Sequence, residues 1–317
     1  MPLRVTLRQL EYFVAVGEAG SIVTASEKVN VSSPSISSAI SQLEAEFGLQ
    51  LFVRKHAQGL ALTQAGRQLM AQAKAVLGQA DALIRLADDI SGNVQGPLGV
   101  GCLLTFAQLL VPQLRRSFEN LYPAVRVSQY ELDQMEIYAR LRNGQIDVAL
   151  TYDLEIPPDL IFIPLVELPP YVMMAETHPL SDLPSASVEQ LKDHPMVLLD
   201  LPFSSSYFLS FFASRGLKPL IAERTKDMAV ARGLVANGYG YSIANIRPVD
   251  DRAPDGRPLR FIPLVDDARP MIMGLVLVDG AQNVLAVKAF IDHCRRMITP
   301  ASLPGADRRP LGPAPGA

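Results

Sequence analysis

A chain of 317 residues exceeds the about 100 to 200 residues of a typical single domain, so two or three cores are expected. Its 49% apolar and 19% charged composition excludes general disorder, and a formal net charge of −3 excludes a protein that coats nucleic acid by bulk positive charge. Any contact with DNA has to be local. The start, MPLRVTLRQLEYF, has no basic segment followed by an apolar core and a small-residue cleavage site. The apolar stretches 98–114 and 271–278 are interrupted by Thr105, Gln108 and Pro112 or too short to cross a bilayer, so a cytoplasmic protein without a membrane partner is expected. Cys102 and Cys294 match no metal spacing or close redox pair, which suits a reducing compartment and a packing role; neither a metal nor a cofactor is expected.

From Leu7 to Ala19, Leu10, Phe13, Val14 and Val16 recur at helical spacing; Gly20 then ends one helix and Ser21 caps the next, which runs to about Val29. Asn30 to Ser33 supplies a turn, with Ser33 expected as N-cap and Pro34 as first residue of a third helix reaching Phe47. Its inward stripe is Ile36, Ile40, Leu43 and Phe47, and Gly48 stops it. The opposite face, Ser35, Ser37, Ser38, Ser41 and Gln42, suits either a solvated surface or close approach to a DNA groove. Leu51–Val53 and Leu60–Leu62 read as two short strands around a tip containing Arg54, Lys55 and His56. Three helices and a basic-tipped wing predict a winged helix-turn-helix over residues 1–62. Residues 1–66 carry five cations and five acids, so this module is formally neutral.

With Thr63 as N-cap, Leu69, Ala73, Val76, Ala80, Leu83, Ala87 and Ile90 step by alternating fours and threes, a heptad seam on a helix of roughly 40 Å over residues 63–90. Such a seam fits a buried helix or a dimer contact, and the polar remainder of the helix favours the dimer. Residues 91–99 read as a hinge. Beyond it, strand-like and helix-like runs alternate to residue 298, predicting an α/β fold of parallel sheets wrapped by helices, in two units sharing a cleft. The Pro- and Gly-rich tail, 299–317, is expected to be disordered.

These features together resemble the LysR-type transcriptional regulators up to about Met297. The resemblance is carried by Leu7-Arg8-Gln9-Leu10-Glu11-Tyr12-Phe13, Ser21 to Ala25, Val31-Ser32-Ser33-Pro34-Ser35-Ile36-Ser37, Ile40 with Leu43-Glu44, Leu51-Phe52-Val53-Arg54 and Leu62-Thr63-Gln64-Ala65-Gly66. It implies a regulator that binds double-stranded operator DNA, with Ser33, Pro34, Ser35, Ser37 and Ser38 entering the major groove and Arg54, Lys55 and His56 of the wing touching the backbone or minor groove. The chain departs from the family pattern at Ser33, often Gln, at Ser38, often a long polar or basic reader, and at Gln58, often Arg. A homo-oligomer, as a dimer of dimers, is implied as well.

The resemblance also implies a periplasmic-binding-protein-like effector domain over 91–298, with one subdomain from 95–165 plus 269–297 and the other from 166–268. Ligands in open α/β sheets sit beyond the carboxyl ends of strands, where helices begin. Thr105 is expected to cap a helix there, and Ser204, Ser205 and Ser206 to begin another; the family pattern adds Gln134 and Asn245. Each could equally be a plain cap. Hydroxyls and amides without a clear cation suggest an uncharged polar or singly anionic effector. The alternatives are a redox-sensing regulator of the same family using Cys102 and Cys294, and a solute-binding protein, which would need a secretion signal and no DNA-binding module. An enzyme is not expected: His178 and His194 fall in no nucleophile or metal motif, and Gly238-Tyr239-Gly240 lacks the third glycine of a dinucleotide fingerprint.

Overall fold

The computed structural model describes residues 4–55, 59–90, 92–265 and 269–304. The chain divides into two units, Met1–Ser91 with Arg140–Gln145, and Gly92–Ala139 with Ile146–Ala317. In the first, α1 (Leu7–Ala19) opens with a reciprocal capping box, in which Thr6 accepts the Gln9 N–H and the Gln9 side chain accepts the Thr6 N–H. It closes at Gly20, whose φ of +64° suits a residue without Cβ. Helix α2 (Ile22–Val29) is capped by Ser21, as expected.

Helix α3 (Ser33–Phe47) starts one residue earlier than the sequence suggested. Ser32, not Ser33, is its N-cap, and Pro34 is the second helical residue. Every N–H of the first turn lacks an intrahelical acceptor, so proline is tolerated there as at the first position. Ile36, Ile40 and Leu43 are buried as expected, whereas Phe47 is only partly so. They close on Phe13, Val16 and Ala25, each large side chain contributing about 1.5–3 kcal/mol of transfer free energy. Strands β1 (Phe52–Lys55) and β2 (Gly59–Leu62) pair antiparallel with Phe52 opposite Leu62 and Lys55 opposite Gly59. Helix α4 (Gln64–Ile90) is capped by Thr63, whose hydroxyl accepts the Gly66 N–H at 2.9 Å. Leu69 and Ala73 pack onto the first core, but further along the seam Val76 is 46% and Leu83 69% exposed.

The second unit contains β3 (Gly96–Leu103), α5 (Leu104–Leu109), α6 (Val111–Leu121), β4 (Val125–Leu132), α7 (Gln134–Arg142, of which Arg140–Arg142 count with the first unit), β5 (Val148–Tyr152), β6 (Leu160–Leu168), β7 (Tyr171–Ala175), α8 (Val188–Leu191), β8 (Pro195–Leu199), α9 (Ser204–Ala213), β9 (Leu220–Thr225), α10 (Met228–Ala236), β10 (Ser242–Ala244), β11 (Leu259–Pro263), β12 (Met271–Val278) and α11 (Leu285–Met297). One sheet has the order β4-β3-β5-β12-β6, another β10-β7-β11, and β8 pairs with β9. The expectation of parallel sheets holds for β4-β3-β5 and β8-β9 only, because β12 runs antiparallel to β5 and β6 and the β10-β7-β11 sheet is antiparallel throughout. The chain passes from the first sheet to the second between β6 and β7 and returns into β12, so these neighbours need no crossover helix and take the antiparallel pairing. The tail does not lose order at Thr299: residues 299–304 form turns in which Ser302 donates to the Met297 carbonyl and Leu303 is buried. Residues 305–317 lie outside the described residues.

Candidate functional sites

The exposed face of α3 is the first site. Pro34, Ser35, Ser37 and Ser38 are exposed, while Ser33 is half-buried and donates its hydroxyl to Ser26 of α2 at 3.0 Å. Ser33 therefore joins the two helices of the motif rather than presenting a free hydroxyl. The Ser35 hydroxyl pairs with that of Ser32 at 2.8 Å. The side-chain hydroxyls of Ser37 and Ser38 are exposed, bond no described residue and are free to meet a phosphate or base edge. At the far end of the helix, Glu44 accepts the N–H groups of Leu51 and Phe52, at 2.7 and 3.3 Å, tying α3 to the wing. Arg54 and Lys55 lie on β1 opposite Leu60 and Gly59. His56 lies outside the described residues.

The second site is a cavity of about 250 Å³ between the sheets of the second unit. Of the expected effector residues, Gln134 and Ser204 line it. Gln134 is 2% exposed; its Nε2 donates to the carbonyls of Tyr152 and Leu154 and to the Tyr138 hydroxyl, and its Oε1 has no partner. Ser204 is 5% exposed, begins α9, and its hydroxyl makes no hydrogen bond to any described residue. Before it stands Phe203 with φ +64°, a left-handed conformation costly for a bulky side chain and therefore held by its surroundings.

Thr105 does not cap a helix: α5 begins at Leu104, and it is Leu103 and Leu104 that reach the cavity wall. Ser205 turns its hydroxyl back to the Leu201 carbonyl at 3.3 Å, and Ser206 is exposed; neither lines the cavity. Asn245 is buried where the chain crosses between sheets, donating to the Leu168 carbonyl at 2.8 Å and the Tyr207 hydroxyl at 3.0 Å, while Tyr207 donates to the Arg269 carbonyl at 2.6 Å. It braces both crossing segments. Sequence reasoning missed Glu131, Asp133, Glu136 and Lys226 on the wall. Asp133 and Glu136 cap α7 reciprocally, each accepting the other's N–H, and their spacing after a strand was the available signal.

Burial pushes the Cys102 thiol up to about 12, with Glu131 adding to the effect, and burial pushes Cys294 higher still. Among the described residues, no three or more His, Cys, Asp or Glu side chains are grouped to hold a metal, and no helix is long and apolar enough to cross a membrane.

The family model of the LysR substrate binding domain matches residues 91–299, and that of the bacterial regulatory helix-turn-helix protein, lysR family, matches residues 7–67. The chain belongs to the LysR family. This LysR regulator is 32% identical to HinK, a LysR family transcriptional regulator from Pseudomonas aeruginosa, whose crystal structure it matches with a TM-score of 0.62 over 92% of this chain and 98% of that one. It is 27% identical to the uncharacterized HTH-type transcriptional regulator YnfL of Escherichia coli, over 92% of this chain and 98% of its relative. A hydrogen peroxide-inducible genes activator of Pectobacterium carotovorum is 26% identical over 75% of this chain and 78% of its own length. The protein is thus a DNA-binding transcriptional regulator of the LysR type, with an effector-binding domain of two α/β halves.

Proposed function

We propose that this regulator acts in the cytoplasm and reads its operator with Pro34, Ser35, Ser37 and Ser38 in the major groove, while Arg54, Lys55 and His56 of the wing meet the backbone or minor groove. Ser33 contributes by positioning α3 through Ser26. The observation that carries this reading is the exposed run of short hydroxyl side chains on α3, backed by a buried stripe that fixes which face points outward. Residues 1–62 form the DNA-binding domain, 63–90 the dimerising helix and 91–298 the effector domain in this account, with subdomains of 95–165 plus 269–297 and of 166–268. Exposed Val76 and Leu83, seven residues apart on α4, supply a seam for a second copy, and pairing of two such dimers gives the avidity that a formally neutral DNA-binding module needs.

The effector occupies the cavity lined by Gln134 and Ser204, with Asn245 bracing the crossings and Thr105, Ser205 and Ser206 shaping the helix starts nearby. The expectation of an uncharged polar or singly anionic effector rested on these hydroxyls and amides. Gln108 reaches Asp227 at 3.5 Å from across the cleft, a contact that an effector alters by shifting the two halves. The redox alternative has two thiols to work with, but both are buried and strongly resist forming the reactive thiolate.

The test is a footprint of Ser37→Ala, Ser38→Ala and Ser33→Ala on operator variants. The first two are expected to change base preference by about 1–3 kcal/mol at one position each, and Ser33→Ala to lower fold stability without changing preference. Unchanged preference in all three would remove α3 as the reader.

A further inference from the structure

The cavity wall is charged in a way the sequence did not disclose. Glu131, Asp133 and Glu136 line it from β4 and α7, and Lys226 faces them as the one ammonium among the described lining residues. None of the three carboxylates forms an ion pair with a described residue. Glu131 accepts only the Gln129 side chain, and Asp133 and Glu136 are bonded to each other's backbone N–H. At two of the helix starts on this wall the chain itself occupies groups that an anion would use, whereas α5 begins at Leu104 without a side-chain cap. The start of α7 already holds two carboxylates, and at the start of α9 the N–H groups of Ser204 and Ser205 are bonded to Pro202 and Leu201. Independently of the acids, Ser204 is 5% exposed on this wall with its hydroxyl unpartnered among the described residues, and beside it the buried Oε1 of Gln134, which can only accept, has no partner; a ligand donor would complete it. Leu103, Leu104, Leu132, Leu201 and Pro202 furnish the rest of the lining.

We infer that the effector of this cleft is a cation: a small molecule with a protonated amine or comparable group, carried on an apolar body, whose N–H donors face Glu131, Glu136 and the Ser204 hydroxyl. This rests on the reading of the cavity as the effector site. A cleft with low-dielectric walls and an excess of one sign of charge concentrates the opposite ion, and a cavity of about 250 Å³ lies below the range of drug-sized pockets, pointing to a small metabolite.

The experiment is calorimetric titration of the full-length protein with three probes of similar shape, 2-phenylethylamine, 2-phenylethanol and 3-phenylpropionate. The variants are Glu131→Gln/Glu136→Gln, which keeps a capping-box residue at the third position of α7, and Leu104→Trp, which fills the cavity from a residue already 38% exposed. The amine is expected to bind about tenfold more tightly than either other probe, to lose about tenfold in the double variant, and to lose binding in Leu104→Trp. Tighter binding of the carboxylate, lost in Leu104→Trp, would overturn the cationic class while leaving the cleft as the effector site. Amine binding unchanged in Leu104→Trp would overturn the cleft itself. Binding of none of the three would overturn the class as drawn.

Discussion

The carboxylate of Glu44 accepts the Leu51 N–H at 2.7 Å, so the last turn of α3 and the first residue before the wing are held as one piece. In the proposed DNA-binding mode wing and helix meet DNA together, and this bond ties one to the other. Glu44→Ala is expected to cost about 1–3 kcal/mol, because it leaves the N–H groups of Leu51 and Phe52 without their acceptor, and to weaken DNA binding by more than the stability loss explains. Denaturant unfolding alongside operator titration measures both; unchanged stability would show the bond to be dispensable.

Glu18 binds Lys28 and Lys74 at 2.9 Å each, joining α1 to α2 and α4. Burial alone would raise its pKa, but the two ammonium groups together outweigh it and hold the carboxyl below its ordinary value. A depressed carboxylate stabilises the fold above its unfolded pKa, near 4.3, and loses that contribution as pH falls through the folded value. Melting curves from pH 6 to about 3 are therefore expected to show an acid loss that is smaller in Glu18→Gln and reduced by salt.

His293 is 1% exposed, its Nε2 lying 2.7 Å from the Ser117 hydroxyl and 3.2 Å from the Leu114 carbonyl, while Nδ1 has no partner. The Leu114 contact requires a proton on Nε2, leaving Nδ1 to take the second. Burial holds its pKa below 6.5. The unfolded chain thus binds this proton first, and stability present above about pH 6.5 is lost as pH falls toward the folded value. Replacing it by Phe, which keeps the aromatic packing against Phe118, is expected to flatten stability between about pH 5 and 7. A profile as steep as that of the parent would place the titration elsewhere.

Cys102 and Cys294 are fully buried with raised thiol pKa values. Thiol-specific alkylation is expected to label neither in the folded protein and both in urea, and mass spectrometry after mild peroxide to find no bridge between them. A Cys102–Cys294 disulfide accompanied by altered DNA binding would establish the redox reading instead.

The first unit was legible because its signals are local. Gly20, Gly48 and the stripe Ile36, Ile40, Leu43 fix helix ends and faces within a few residues; the adjacent serines at the start of α3, the burial of Phe47 and the end of the first wing strand, which runs on through Arg54 and Lys55, went astray. The second unit was less so. Strand β9, reading Leu-Ile-Ala-Glu-Arg-Thr, is mostly exposed and carries no apolar alternation, and the antiparallel return of β12 depends on where the chain crosses between sheets. The cavity wall is a tertiary product: Glu131 and Glu136 look like solvated residues around a helix start until Ser204 and Lys226, some 70 to 90 positions later, are folded against them.

The most direct test of the central claim is a mobility shift of the purified protein on its own upstream intergenic DNA across a salt series, with Ser35→Glu as control. Ser35 is the third residue of α3 after the Ser32 cap, so glutamate there completes a capping box and preserves the helix while setting a negative charge against the DNA. Specific, salt-sensitive binding that disappears in a normally folded Ser35→Glu variant is the predicted result. Equal binding by the variant, or no binding by the parent protein at low salt, would contradict recognition through the exposed face of α3.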